Sequence, residues 1–464
     1  MKELSASRLS TLASWIYVFA PFITFLVSPF CLIGVSRFGV QWHVLLVSCL
    51  IAASFIALTN DFWSFIKSLF ARLAPKVIFA SCLLWLSVLV TVHGWSPQQM
   101  SILSGIVFAL MLPVCLFIAC RLPNKAALLY SSVFVLSVLV VSENIFLIVH
   151  KLSNIPFASI YLNQLGPFRL FLNPRDGNFI ALIQFQLVCL CCLAARHVSQ
   201  FFNLNNYRIR LLVLVLFSQA FFNAWFTGGR ALLVSLLLGL CVLLLSARRS
   251  LEARLLAVIT FFSGLISWMV SESISLLAFK MHGGGLVPDF VERGSGGRFE
   301  IWAAWVRSWL DTSLVFGHGL GFLPSSGTNG NFTPHNLFVQ LLADSGLLGV
   351  VLFVLLLYYI LTSLLALEGD TRLLFQLAIV PLTAFSLFGA IFSWPAGVWA
   401  FGLLILVASC LVDISGPAFT ASRSSSPVLL SNHCRTISPL LYLLLFAAAV
   451  VSLSDLKYQA LSSF

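Results

Sequence analysis

The chain has 464 residues, of which 60% are hydrophobic and only 9% charged, with a net charge of +11. A soluble domain is about one quarter charged, so these few charges cannot cover a water-facing surface of this size, and a soluble globular protein is excluded. The excess of Lys and Arg is read as membrane orientation together with an anionic substrate, and not as a nucleic-acid footprint.

A membrane span needs about 20 apolar residues to cross about 30 Å of hydrocarbon. In chain order, candidate spans fall at about 12–34, 40–58, 76–93, 101–120, 126–149, 178–195, 209–226, 230–247, 253–271, 337–366, 372–391, 395–413 and 436–455. The expected fold is therefore an all-α polytopic membrane protein of about 12–13 transmembrane helices, with one large periplasmic loop containing short helices. The first run is long and lacks a small-residue cleavage site, so it is expected to be a span and not a signal peptide. The 43 Phe suit lipid-facing helices. Ten of the 11 Cys lie in or at the ends of apolar runs, as buried unpaired thiols do, and no metal-ligand spacing occurs among them.

With the N-terminus in the cytoplasm, sixteen of the 26 Lys and Arg fall inside and ten outside. The bias has the sign of the positive-inside rule. The outside cations gather at 151–175, at Arg230 and at 280–307, and positive charge on that side calls for a functional reason. Three regions follow: a membrane-spanning helical part over 1–271, a large periplasmic catalytic loop over 272–336, and C-terminal spans over 337–464. Within the loop, Phe299 to Leu310 places Trp302, Trp305 and Trp309 on one face of a short helix at the membrane interface.

The polar residues that could carry chemistry cluster in the outside segments. Thr227-Gly228-Gly229-Arg230 joins two apolar runs with almost no loop. The glycines would let a ligand approach the backbone, and an Arg fork there could grip phosphate oxygens in two-point contact. The plain alternative is a snorkelling charge at a span end. The loop itself presents Gly296-Gly297-Arg298, Gly317-His318-Gly319-Leu320-Gly321 and Thr333-Pro334-His335-Asn336. Arg169 and Arg175, in Pro167-Phe168-Arg169 and Asn173-Pro174-Arg175-Asp176-Gly177-Asn178, form a further cluster. Glu143, near the outer end of its span, would be costly against lipid and is a candidate partner for an outside Arg. There is no nucleotide-binding lysine loop, no Asp-x-Asp pair to hold a metal and no Gly-x-Ser-x-Gly elbow, so neither metal nor cofactor is expected.

The ordered set of spans, Gly-Gly-Arg230, long outside loop, Gly-Arg298 with a Trp-rich helix, Gly-x-Gly-x-Gly, Pro-His335-Asn336 and a Gly-containing span resembles the O-antigen ligase superfamily. That superfamily includes O-antigen ligases, O-antigen polymerases and pilin-type O-oligosaccharyltransferases. The resemblance implies a multi-pass protein of the bacterial inner membrane. Such a protein moves a glycan from undecaprenyl diphosphate to an acceptor hydroxyl on the periplasmic side, without metal or nucleotide. It assigns the catalytic set to His335, Arg298 and Arg230, and substrate binding to Arg169, Arg175, Asn336 and Gly297. Asn173, Arg175 and Asn178 look like an Asn-x-Arg-x-x-Asn pattern of the pilin-type protein transferases, although Asp176 and Gly177 stand where those carry aromatics. The expected acceptor is thus a protein hydroxyl (pilin), with lipid A core ligation and O-antigen polymerisation as alternatives. The reading from another class is a lipid-linked glycan flippase, which would carry its charges inside several broken spans.

Overall fold

The computed structural model describes residues 6–23, 51–69, 114–153, 174–193, 202–282, 298–311, 314–318, 336–354, 369–388 and 399–410, apart from single positions within some of these ranges. The expected spans at 76–93 and 436–455, and parts of several others, lie outside the described residues. Among the described residues the regular elements are helices: α1 (Ala6–Val18), α2 (Asn60–Leu69), α3 (Lys125–Leu152), α4 (Pro174–Leu193), α5 (Tyr207–Phe226), α6 (Arg230–Ser246), α7 (Leu251–His282), α8 (Arg298–Leu310) and α9 (Gly369–Phe388). By length and composition, Lys125–Val149, Tyr207–Phe226 and Leu251–Met281 can cross a membrane, and Gly177–Leu193, Arg230–Ser246 and Arg372–Phe385 are shorter apolar helices.

The helices alternate in direction. α3, α5 and α7 end where α4 and α6 begin, so Lys151, Arg230 and Lys280 share one end of the bundle. Lys125, Arg208, Arg210, Arg248 and Arg254 gather at the other. α7 continues through Glu272 to His282, beyond the run expected to close near 271. The two charges Glu272 and Lys280 end the hydropathy signal, but nothing in Ser271–His282 breaks a helix, so the coil carries on past the apolar stretch.

α4 is the centre of the bundle: every side chain from Gly177 to Cys192 is buried. It packs against α3, α5, α6 and α9. Phe185 of α4 meets Phe217 of α5 with ring centroids 4.7 Å apart. Gly239 of α6 lets Phe185 and Pro381 approach; a Cβ there would sit 2.7 Å from the Phe185 ring. Pro381 lies inside α9 and has no N–H, which orphans the carbonyl four residues earlier. That carbonyl, Leu377 O, accepts from Gln186 Nε2 at 3.0 Å, and Ala378 O accepts from the same amide at 2.8 Å. A backbone group released by a proline inside a membrane helix is thereby satisfied by a side chain of the neighbouring helix.

α5 and α7 meet along small residues. Ser263 Oγ donates to Leu214 O at 3.1 Å, Ser267 Oγ lies 2.7 Å from Ser218 O, and Gly264 faces the Phe221 ring. Small residues allow the close approach that holds membrane helices together. The opposite side of α7, with Phe261, Phe262, Leu265, Trp268 and Met269, is exposed and apolar, a surface suited to lipid. α1 is tied to the helical residues at 399–410 by a reciprocal pair: Tyr17 Oη donates to Trp399 O at 3.1 Å and Trp399 Nε1 donates to Tyr17 O at 2.8 Å. Among the described cysteines, Cys115, Cys189, Cys191, Cys192 and Cys410 are buried and form no disulfide.

Candidate functional site

The end of the bundle that holds Arg230 is built on a helix stop. α5 finishes at Thr227, and Gly228 takes φ +63°. Gly228 N–H donates to Trp225 O at 3.2 Å and Gly229 N–H to Ala224 O at 2.8 Å, the paired bonds of a Schellman motif. Gly228 is therefore required by the left-handed position. Gly229 is required by a neighbour: a Cβ there would stand 2.7 Å from Asn178 Nδ2. α6 then starts at once with Arg230, half-buried, as its first residue. A guanidinium at a helix N-terminus adds its charge to the orphan N–H groups and positive dipole end, a combination suited to an anion.

A ladder of polar side chains descends from this turn into the bundle. Thr227 Oγ1 lies 3.1 Å from Asn178 Oδ1 and 2.6 Å from Asn223 O, sharing its one proton between these acceptors. Asn223 Nδ2 donates to Asn144 Oδ1 at 3.1 Å, and Asn144 Nδ2 to Gln219 O at 3.1 Å. Gln184 Nε2 donates to Gln219 Oε1 at 3.0 Å and reaches Ser137 Oγ at 3.3 Å. Glu143, 4% exposed, presses its side chain on Gly177, where a Cβ would lie 2.9 Å from Glu143 Cγ. At the rim, Lys151 Nζ donates to Ser275 Oγ at 2.5 Å and sits 4.5 Å above the Phe226 ring. Burial pushes the Lys151 amine below the usual lysine range, and the Glu272 carboxylate pulls it partly back.

Arg298 begins α8, with its side chain outside the described residues. α8 turns its Trp face inward: Trp305 is 2% exposed, whereas Phe299 and Leu310 are exposed. Its C-terminal end is fixed by the turn at 314–318. His318 Nε2 lies 2.8 Å from Ser308 O; a carbonyl only accepts, so Nε2 carries the proton. The same turn docks on the helical residues after 338. His318 N–H donates to Ala343 O at 2.8 Å, Leu347 N–H to Leu314 O at 2.9 Å and Leu348 N–H to Val315 O at 3.2 Å. Gly346, at φ +63°, makes this docking possible, because a Cβ would fall 2.4 Å from the Val315 carbonyl. Asn336 caps the helix that follows: its Oδ1 accepts from Phe338 N–H at 2.9 Å and Val339 N–H at 3.2 Å.

The structure thus places Arg230 on the rim of the polar ladder and Asn336 at the cap of the helix beyond the loop. Arg175 lies in the first turn of α4, with its side chain outside the described residues. Arg169, Gly297 and His335 lie wholly outside them. His335 directly precedes the Asn336 cap in the chain. Sequence reading noted Gln184 beyond the Asn173–Asn178 stretch but did not join it into a ladder with Asn144, Gln219 and Asn223, which are likewise amides inside otherwise apolar runs.

These features define a multi-spanning helical membrane protein with a polar, cationic mouth at one end of its bundle. Residues 211–354 match the family model of the O-antigen ligases, Wzy_C, so over this stretch the chain is similar to that family, in line with its resemblance to the O-antigen ligase superfamily. The family is one of glycan-transferring membrane enzymes acting between a lipid-linked donor and an acceptor. No curated protein matches the chain.

Proposed function

We propose that the protein transfers a glycan from undecaprenyl diphosphate to an acceptor hydroxyl on the periplasmic side of a bacterial inner membrane, with the N-terminus in the cytoplasm and the loop over 272–336 as its catalytic loop. The observation that carries this reading is the extent of the O-antigen ligase match: 211–354 begins in α5, includes Arg230, Arg298 and His335, and ends beyond the Gly346 docking point. Arg230 and Arg298 hold the diphosphate and offset the charge that develops on it as it leaves. His335 removes the acceptor hydroxyl proton, a role open to a histidine of ordinary pKa, about 6.5, at neutral pH. The acceptor oxygen bonds to the anomeric carbon while the bond to the diphosphate oxygen breaks, and attack from the opposite face inverts the anomer. Arg169, Arg175 and Gly297 contribute to substrate binding. Asn336 joins them through its Nδ2, because its Oδ1 serves the helix cap.

The favoured acceptor is a protein hydroxyl of the pilin type, supported by the Asn173, Arg175 and Asn178 pattern. One observation counts against the pilin type and leaves lipid A core ligation as the next reading: at Gly177, which stands where the pilin type carries an aromatic, a Cβ would fall 2.9 Å from Glu143 Cγ, so a ring would require Glu143 to move. The test is transfer by the purified full chain from undecaprenyl-diphosphate-linked glycan, with chelator and without ATP, offered pilin or lipid A core. Product on pilin supports the first reading and product on the core the second. Strict dependence on a divalent ion would contradict the role given to the arginines.

A further inference from the structure

Three helices interlock directly beneath Arg230, and one side chain touches the turn that presents it from a different helix. Asn178 belongs to the first turns of α4, yet it is 6% exposed and buried under the α5–α6 turn. Its Oδ1 is within hydrogen-bond reach of Thr227 Oγ1 at 3.1 Å. Its Nδ2 faces Gly229 so closely that a Cβ built there would stand 2.7 Å from it, and the carboxamide would have to shift. Thr227 closes α5, Gly228 and Gly229 form the reversal, and the next residue is Arg230, whose N–H donates to Gly228 O at 3.0 Å. Asn178 therefore touches the residues on both sides of the left-handed Gly228.

The carboxamide is itself held from behind. Gly177 is pinned by Glu143, and the residue after Glu143, Asn144, accepts from Asn223 one turn before Thr227. A polar group buried this deeply in a membrane bundle is expensive unless it is used.

We propose that Asn178 is a positioning residue that sets the Thr227–Gly229 turn, and through it the direction in which Arg230 meets the diphosphate of the lipid-linked donor. The inference rests on the donor-binding role given to Arg230. Substitution at Asn178 should weaken donor binding without changing the acceptor, and should do so only while Arg230 is present.

The experiment measures the affinity of the purified full chain for undecaprenyl diphosphate, beside the KM for donor and for acceptor. Asn178→Ala and Thr227→Val should each weaken undecaprenyl diphosphate binding on the order of tenfold and raise donor KM, leaving acceptor KM unchanged. Thr227→Val keeps the side-chain shape and should insert normally even if Asn178→Ala does not. Thr227→Ser, which retains the hydroxyl, should restore binding. Adding Arg230→Ala to Asn178→Ala should weaken binding no further than Arg230→Ala alone, because the two act as a unit. An equal loss from Asn178→Ala with and without Arg230 would overturn the proposal and leave Asn178 a packing residue, as would unchanged donor binding in Thr227→Val. If Arg230→Ala itself binds undecaprenyl diphosphate normally, the donor role of Arg230 fails first, and the positioning role with it.

Discussion

At the level of single residues, the same glycine-arginine turn that offers a cation to a ligand is first a solution to ending a helix. Gly228 satisfies the left-handed position and Gly229 the close approach of Asn178, and Arg230 follows at once as the first residue of α6. Arg230→Ala and Arg298→Ala should each abolish transfer with the protein still inserted, and Lys should restore little at either position, since it keeps the charge and loses the two-point fork. Full activity in both Lys variants would show that general positive charge suffices. His335→Ala should lower the transfer rate by about 10² to 10⁴ while donor binding persists, the usual scale of general-base help. His318→Ala should behave differently. Its Nε2–H bond to Ser308 ties α8 to the turn at 314–318, so the loss should appear as reduced thermal stability with the chemical step retained. Comparing rate, donor affinity and melting temperature across the two histidine variants separates the roles.

At the level of elements, α4 and α9 depend on each other through one amide. Pro381 releases Leu377 O, and Gln186 Nε2 takes it up. Gln186→Leu keeps similar bulk but leaves two buried carbonyls without that donor, so it should destabilise the bundle by about 1–3 kcal/mol. Restoring the helix's own N–H with Pro381→Ala should recover part of that loss in the double variant. Thermal unfolding of the purified single and double variants tests this; additive losses would mean the amide and the proline are unrelated. Hydropathy made the existence of these helices legible: the expected spans at 126–149, 178–195, 209–226, 230–247 and 372–391 overlap α3, α4, α5, α6 and α9 closely. It could not show where α7 stops, because charge interrupts apolarity and not helicity. Nor could it pair Gln186 with Leu377, or Asn178 with Gly229, since such contacts join distant segments and leave no local periodicity.

At the level of the whole molecule, the alternation of helix directions groups Arg208, Arg210, Arg248 and Arg254 at one end and Lys151, Arg230 and Lys280 at the other. A topology reporter fused near Gly284 should read periplasm and one fused near Arg248 cytoplasm. A cytoplasmic signal at Gly284 would invert the orientation and remove the basis for a periplasmic reaction. Of the candidate site, Arg230 was readable because a charge between two apolar runs is conspicuous. The ladder below it was not, because an isolated Asn or Gln in a hydrophobic run announces cost without naming its partner.

The burial of α4 on all sides also constrains how the chain is made. A helix carrying Gln184 and Gln186 in its middle and Asn178 in its first turns would leave these amides without hydrogen-bond partners, the two glutamines in hydrocarbon, if released alone. Its partners for those groups lie in α3, α5 and α9, and the last two are synthesised later. α4 therefore has to be retained near the insertion machinery, or at α3, until α5 emerges. Chains stopped after residue 205 should leave α4 accessible to protease or to a membrane-impermeant thiol reagent at its cysteines, whereas chains stopped after residue 250 should protect it. Equal protection in both would mean that α4 enters the bilayer unaided, and that its polar contacts form only after insertion is complete.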